Sequence, residues 1–283
     1  MKVFFFSILV FIFITTTANA QNFHLDLFAG TSNYQGDLQD KRFTFNQAHF
    51  AGGLGVSYDL TDHFSLRTGI YFGTVSGDDK LGRNRLRNLN FTSKITEGML
   101  GIQYYITPLA DHVLTPYLFA GLAVYHFDPY TNDTSAKKYY LKPLSTEGEG
   151  FIPGINNYSL TQVAIPFGGG VKLSLTDNIN VGLEVGFRKL FTDYLDDVSG
   201  NYVDQSLLLS NRGPKAVELA YREGELKTGS TTYPAAGTQR GSPKSRDWYY
   251  FTGLTLSFRL GNGQHSGAMG SRRSEYGCPV NVR

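Results

Sequence analysis

The 283-residue sequence contains one cysteine, Cys278, one tryptophan, Trp248, and three methionines. So few sulfur ligands exclude a disulfide-stapled fold and a cysteine zinc site. Charge of one sign is also lacking: 26 basic and 24 acidic side chains leave +2, which excludes a nucleic-acid binder driven by bulk charge. The six histidines show no metal-ligand spacing and no His-x-x-Glu-His pattern, and no phosphate-cradling glycine-rich loop occurs. Beyond the first twenty residues there is no apolar run long enough for a spanning helix.

What is abundant is glycine (32), phenylalanine (21) and tyrosine (18), a composition that favours β structure over a helical bundle. The mean hydropathy of −0.22 is that of a soluble protein. A transmembrane barrel hides its apolar face in such an average, because only alternate strand residues face lipid.

The first segment follows a different rule. Lys2 supplies a positive start, residues 3–14 are apolar apart from Ser7, and Ala18-Asn19-Ala20 precedes Gln21. This is the pattern of a secretory signal peptide, residues 1–20, and the apolar run is too short for a membrane anchor. No cysteine follows directly, so no lipoprotein anchor is expected. Cleavage after Ala20 removes one lysine and leaves 263 residues at +1.

From Phe23 onward the apolar period becomes two. Alternation recurs over residues 23–30, 50–59, 64–72, 97–106, 117–125, 162–175, 179–188 and 248–260, eight strands in all. In each, aliphatic and aromatic residues oppose small, polar or charged ones; Leu54, Val56 and Tyr58 face away from Gly53, Gly55, Ser57 and Asp59. A soluble sandwich would alternate too. Three features favour a barrel: short connections near 59–62, 108–114 and 176–178 alternate with long ones at 33–47, 75–91, 127–157 and 191–246; aromatics such as Tyr58, Phe64, Tyr104, Trp248 and Phe258 sit at strand ends; and the strand count is even. The fold expected is all-β: an eight-stranded antiparallel transmembrane β-barrel over residues 21–260, with short periplasmic turns and long extracellular loops. The tripeptide Leu-Thr-Asp opens two short turns, at Leu60 and Leu175, and turn chemistry is reason enough for it.

The inward set carries Arg67, Lys172, Arg188 and Arg259 against Asp26, Asp59, Glu97 and Glu184. Eight strands enclose only enough room for side chains, so these charges are expected to pair as an ionic plug, closing the lumen to diffusion. In the last long loop Asp193, Asp196 and Asp197 lack the Asp-x-Asp-x-Asp-Gly spacing of a calcium loop and are expected to cap turns. Asp78, Asp79, Arg83, Arg85 and Arg87 share the second long loop, where a local ionic network competes with contact to lipopolysaccharide phosphate. Residues 261–283, rich in Gly, Ser, Arg and Asn, are expected to be a flexible periplasmic tail. That tail holds Cys278, and a lone cysteine in an oxidising compartment suggests an intermolecular disulfide.

Several segments carry a resemblance: TSNYQGDL at 31–38, VSGDD at 75–79, RNLNF at 87–91, TPYLFAG at 115–121, TEG at 146–148, YSLTQ at 158–162, RKLFTDYLDDVSG at 188–200, QRG at 239–241 and DWYYFTG at 247–253. Together they resemble the PorG-like outer-membrane barrel family of Bacteroidetes, which includes a component of the type IX secretion system. The resemblance spans residues 23–260. It implies a non-enzymatic outer-membrane subunit, without cofactor or metal, that associates with a periplasmic ring lipoprotein and further secretion subunits; Cys278 would be the tether to such a partner. Outer-membrane lipid is the other partner expected, and nucleic acid is not. Two other readings stand beside this one: a general OmpX-like or adhesin barrel, and an outer-membrane hydrolase using Asp193, Asp196 and His126.

Overall fold

The computed structural model describes residues 22–39, 44, 46–109, 111–243 and 246–260. The expected signal peptide, the tail and Cys278 lie outside the described residues.

Strands β1 (Phe23–Gln35), β2 (His49–Asp59), β3 (Phe64–Asp78), β4 (Asn90–Tyr105) and β5 (Leu114–His126) are followed by a short hairpin, β6 (Pro129–Asn132) and β7 (Lys138–Tyr140). The chain then forms β8 (Thr161–Thr176), β9 (Ile179–Leu190) and β10 (Trp248–Arg259). The order β3-β2-β1-β10-β9-β8-β5-β4, with β3 also paired to β4, closes an eight-stranded antiparallel barrel. Closure leaves no barrel edge with unpaired backbone groups, the condition for placing strands in lipid. Among the described residues no helix is long and apolar enough to cross a membrane.

The faces sort as the alternation dictates. Leu122 is 71% exposed on the outer wall while Tyr125, three residues on, is fully buried in the lumen. On β3 the outer set Phe64, Leu66, Ile70 and Phe72 is exposed and Ser65, Arg67 and Tyr71 are buried. From Phe64 to Phe72 the strand rises roughly 26 Å, which a tilt of about 40° reduces to about 20 Å, close to the height of a lipid-facing belt. Phe23, Tyr58, Phe64 and Tyr104 ring the short-turn end, with Phe23 on Tyr58 at 4.7 Å and Phe64 on Tyr104 at 5.1 Å. Phe167, Phe187, Trp248 and Tyr250 form a second cluster toward the long loops. Aromatic girdles at two heights mark the two faces of the apolar layer.

Several strands run past their sequence-predicted ends. β3 continues to Asp78 and β4 starts at Asn90 because Thr74, Ser76, Thr92 and Lys94 keep the pairing going above the belt, where the outer face is polar and apolar alternation vanishes. The two Leu-Thr-Asp turns work through threonine: Thr61 Oγ1 accepts from the backbone N–H of Phe64 (3.0 Å) and Thr176 Oγ1 from that of Ile179 (3.1 Å).

Inward glycines make room for large lumen side chains. A Cβ on Gly186 would stand 2.6 Å from the Arg188 guanidinium and 2.8 Å from the Phe119 ring, and one on Gly53 would lie 2.5 Å from the Tyr71 ring. The long loops hold structure of their own: helices α1 (Gln205–Arg212) and α2 (Pro214–Ala220) with a core of Val203, Leu208, Ala216 and Ala220. The sequence pattern predicts only loop over 191–246, because neither short helix carries a long apolar period. α1 begins where Asp204 accepts from the N–H groups of Ser206 and Leu207, and ends at Gly213, whose φ of +81° suits glycine.

Candidate functional site

The lumen is filled in successive layers. Arg188 lies fully inside and gives Glu97 three contacts, Nε to Oε1 at 3.2 Å, Nε to Oε2 at 2.9 Å and Nη2 to Oε1 at 2.9 Å. Its Nη1 donates to the Gly186 carbonyl (2.7 Å), its plane covers the Phe251 ring at 4.3 Å, and the Tyr249 hydroxyl donates to Glu97 at 2.6 Å. In the next layer Arg67 donates through Nη1 and Nη2 to Glu184 (2.8 and 3.2 Å), stacks on Phe119 at 4.4 Å and donates to the Tyr71 hydroxyl at 2.9 Å. Tyr117 donates to the same Glu184 at 2.8 Å. Each pair is thus desolvated, forked and supported by a phenol, the conditions under which a buried ion pair holds.

The other four lumen charges do not pair among themselves as expected. Asp26 accepts from the hydroxyls of Ser57 (2.6 Å) and Ser257. Lys172 contacts the Tyr105 hydroxyl at 3.3 Å, and Asp59 pairs with His24 at 2.8 Å. Arg259 makes no ion pair among the described residues. The reason is geometric: alternation fixes the face of each residue, whereas barrel shear fixes its height, and neighbouring serines and a histidine reach the two aspartates first.

Above the lumen the four long loops lock into a cap, and its interior is acidic. Asp196 and Asp247 converge on one phenol, the Tyr34 hydroxyl, at 2.5 and 3.0 Å. Asp197, with φ of +64°, accepts from the hydroxyls of Thr146 and Tyr158, each at 2.7 Å. Arg240 Nη1 donates to Glu147 (2.8 Å) and to the Asp197 carbonyl (2.7 Å), while Glu147 accepts from the N–H groups of Ser199 and Gly200. Arg87 clamps Asp79 with two bonds of 2.7 Å, donates to the Asp37 carbonyl (2.9 Å) and bonds the Arg240 carbonyl. These bonds tie the first loop to the second, and the third to the fourth.

Burial raises the carboxyl pKa values in this interior. Asp197 is pushed up to about 6, Asp193 to about 7 and Glu149 to about 8; burial is the largest cause in each, opposed at Asp197 by Arg240. Asp196 and Asp247 lie well above the carboxylate range for the same reason, with the Asp196 charge adding to the rise at Asp247.

Asp193, Asp196 and Asp197, expected to cap turns, are buried in the cap interior, at most 8% exposed. Asp196 alone caps a local turn, accepting from the Val198 N–H at 2.9 Å. Among the described residues no group of three or more His, Cys, Asp or Glu side chains is set to hold a metal. His126 is exposed on the outer wall, bonded to the Thr161 hydroxyl (3.0 Å), away from the cap aspartates it would need for hydrolysis. Sequence reasoning gave no role to Tyr34, Glu147, Tyr158, Arg240 or Asp247. The signal was present: the segments at 31–38, 75–79, 87–91, 146–148, 158–162, 188–200, 239–241 and 247–253 are the ones whose side chains meet in the cap.

The chain is similar in fold to Neisserial surface protein A, at 10% identity over 84% of this chain and 96% of that one, with a TM-score of 0.40. Other similar structures are Ail, the attachment invasion locus protein of Yersinia pestis (7% identity, 84% and 98% covered, TM-score 0.39), and the outer membrane protein OprG of Pseudomonas aeruginosa (11%, 85% and 98%, 0.39). No curated protein matches the sequence. A family model described as a domain of unknown function, DUF6089, matches residues 2–211, most of the chain, and the protein belongs to that family.

Proposed function

We propose that the protein is a non-catalytic outer-membrane subunit of the type IX secretion apparatus, anchoring or scaffolding a periplasmic ring complex. The observation that carries the non-conducting half of this reading is the lumen, closed at successive heights by Arg67–Glu184 and Arg188–Glu97 with tyrosine and phenylalanine between them. Such a barrel offers cargo no passage, so its contribution is its position in the membrane and the cap it holds above the lumen. The secretion role is supported by the motif resemblance, whose residues build the cap. On this reading Cys278 forms the bond to the ring lipoprotein.

Deletion of the gene is expected to leave type IX cargo inside the cell, and affinity purification of the barrel is expected to bring down a periplasmic lipoprotein. Non-reducing gels should then show a higher band for wild type that Cys278→Ser loses. Normal secretion by the deletion strain would overturn the reading. It would favour the second one, a general OmpX-like or adhesin-type display barrel, to which the cross-linked cap is also suited.

A further inference from the structure

We infer that the groove crossing the cap beside Asp37 binds a neutral oligosaccharide. Two cavities of about 580 Å³ each meet there. Asp37, Asn84 and Ser242 belong to the walls of both, so the two form one groove, in the size range of ligand sites. One end reaches Gln35 and Trp248, and the other reaches Tyr221 and Thr238. Its walls come from the upper end of β1, the second long loop and the last long loop. Arg87 holds these elements together, donating to the Asp37 carbonyl at 2.9 Å and bonding the Arg240 carbonyl, so the groove is shaped before any ligand arrives.

What the groove offers follows from which of its groups are already used. Its cations have partners: Arg87 clamps Asp79 with two bonds of 2.7 Å, Arg240 donates to Glu147 at 2.8 Å, and the charge of Arg246 acts on the buried Asp193. Arg83 has a partner of its own. An anionic ligand therefore finds no spare cation. It also meets Asp37, which gives one oxygen to the Ser242 N–H at 2.7 Å and keeps the other open. A carboxylate in that position repels a phosphate but accepts strongly from a hydroxyl. The side chains of Gln35, Asn84 and Thr238 make no hydrogen bond among the described residues, which leaves two amides and a hydroxyl beside that oxygen. Aromatic rings stand at both ends, Trp248 at one and Tyr221 at the other, each an apolar surface for the C–H face of a pyranose. Hydroxyl groups in number, apolar ring faces and no net charge describe a neutral sugar chain. The site does not depend on the secretion role.

The full-length protein in a sugar-free polyoxyethylene detergent would be applied to arrays of neutral gluco-, galacto- and manno-oligosaccharides printed beside sulfated, phosphorylated and uronic-acid glycans. Retention on neutral chains is expected, with a tetrasaccharide held at least about tenfold tighter than its monosaccharide because it spans both cavities. Trp248 is the only tryptophan, so its emission should follow titration of the retained tetrasaccharide to saturation. The double variant Asp37→Asn, Asn84→Ala should lose about tenfold or more. Lys137→Gln, at the turn between β6 and β7, should bind as wild type, and unchanged heat-modifiability on gels would show both variants folded. Retention of anionic glycans alone, no retention of any neutral chain, or equal binding by wild type and the double variant would each overturn the assignment.

Discussion

Replacing Arg188 by alanine is expected to destabilise the barrel by about 3–5 kcal/mol, the cost of breaking a fully buried ion pair from one side. Arg188 has 1% of its side chain exposed and Glu97 none, so deletion strands a carboxylate whose remaining bond is the Tyr249 hydroxyl at 2.6 Å. It also empties the space between Gly186, Phe251 and Tyr71 that the guanidinium occupies. The double change Glu97→Gln, Arg188→Met removes both charges while keeping the volume, and it should recover most of the loss, because the desolvation penalty leaves with the charges. Lys215→Ala, which removes half-exposed ion pairs with Glu218 and Asp133, should change stability far less than Arg188→Ala. Urea unfolding in lipid vesicles, followed by Trp248 emission, measures all three. A single variant no less stable than the double one would refute the layered plug.

The second large effect is on the cap, which should loosen as pH rises. One phenol hydrogen cannot serve two ionised carboxylates, so Asp196 and Asp247 around Tyr34 hold together only while one carboxyl keeps its proton. Asp193, Asp197 and Glu149 share the trend: their folded pKa values, about 7, 6 and 8, lie above the ordinary 3.8 to 4.5. The folded cap therefore binds more protons than the unfolded chain between about pH 4 and pH 8, and stability falls with pH wherever that holds. The contribution is complete below about pH 4 and is lost as pH passes through 6, 7 and 8. Amide exchange corrected for intrinsic rate should show residues 191–246 opening several-fold more often at pH 9 than at pH 5.5, with the barrel strands unchanged. Asp247→Asn, which cannot ionise, should reduce this dependence. Protection in the cap that increases with pH would contradict the assignment.

These two sites differ in how far the sequence announced them. Strand positions and faces follow from period-two alternation, since a residue such as Leu54, between Gly53 and Gly55, or Leu122, between Gly121 and Ala123, has no place except the outer wall once its neighbours are small. That Arg67, Glu97, Glu184 and Arg188 face inward was legible for the same reason. Which charge meets which was not, because the partner depends on the stagger between strands distant in sequence, 117 residues apart for Arg67 and Glu184. The cap was hidden more completely. Its aspartates read as turn caps, and their burial depends on bonds such as Arg240 to Glu147, 93 residues apart, that no local pattern encodes. The β6–β7 hairpin and the two helices are short elements stabilised by packing against those loops rather than by strong propensity.

Planar-bilayer recording of the purified protein tests most directly whether the barrel is sealed, as the proposed anchoring role requires. With the lumen closed by Arg67–Glu184 and Arg188–Glu97, insertion should give no discrete conductance steps in 1 M salt, whereas the variant Arg67→Ala, Arg188→Ala should flicker open. Regular ohmic steps from the wild-type protein would contradict a sealed lumen, and with it the anchoring role.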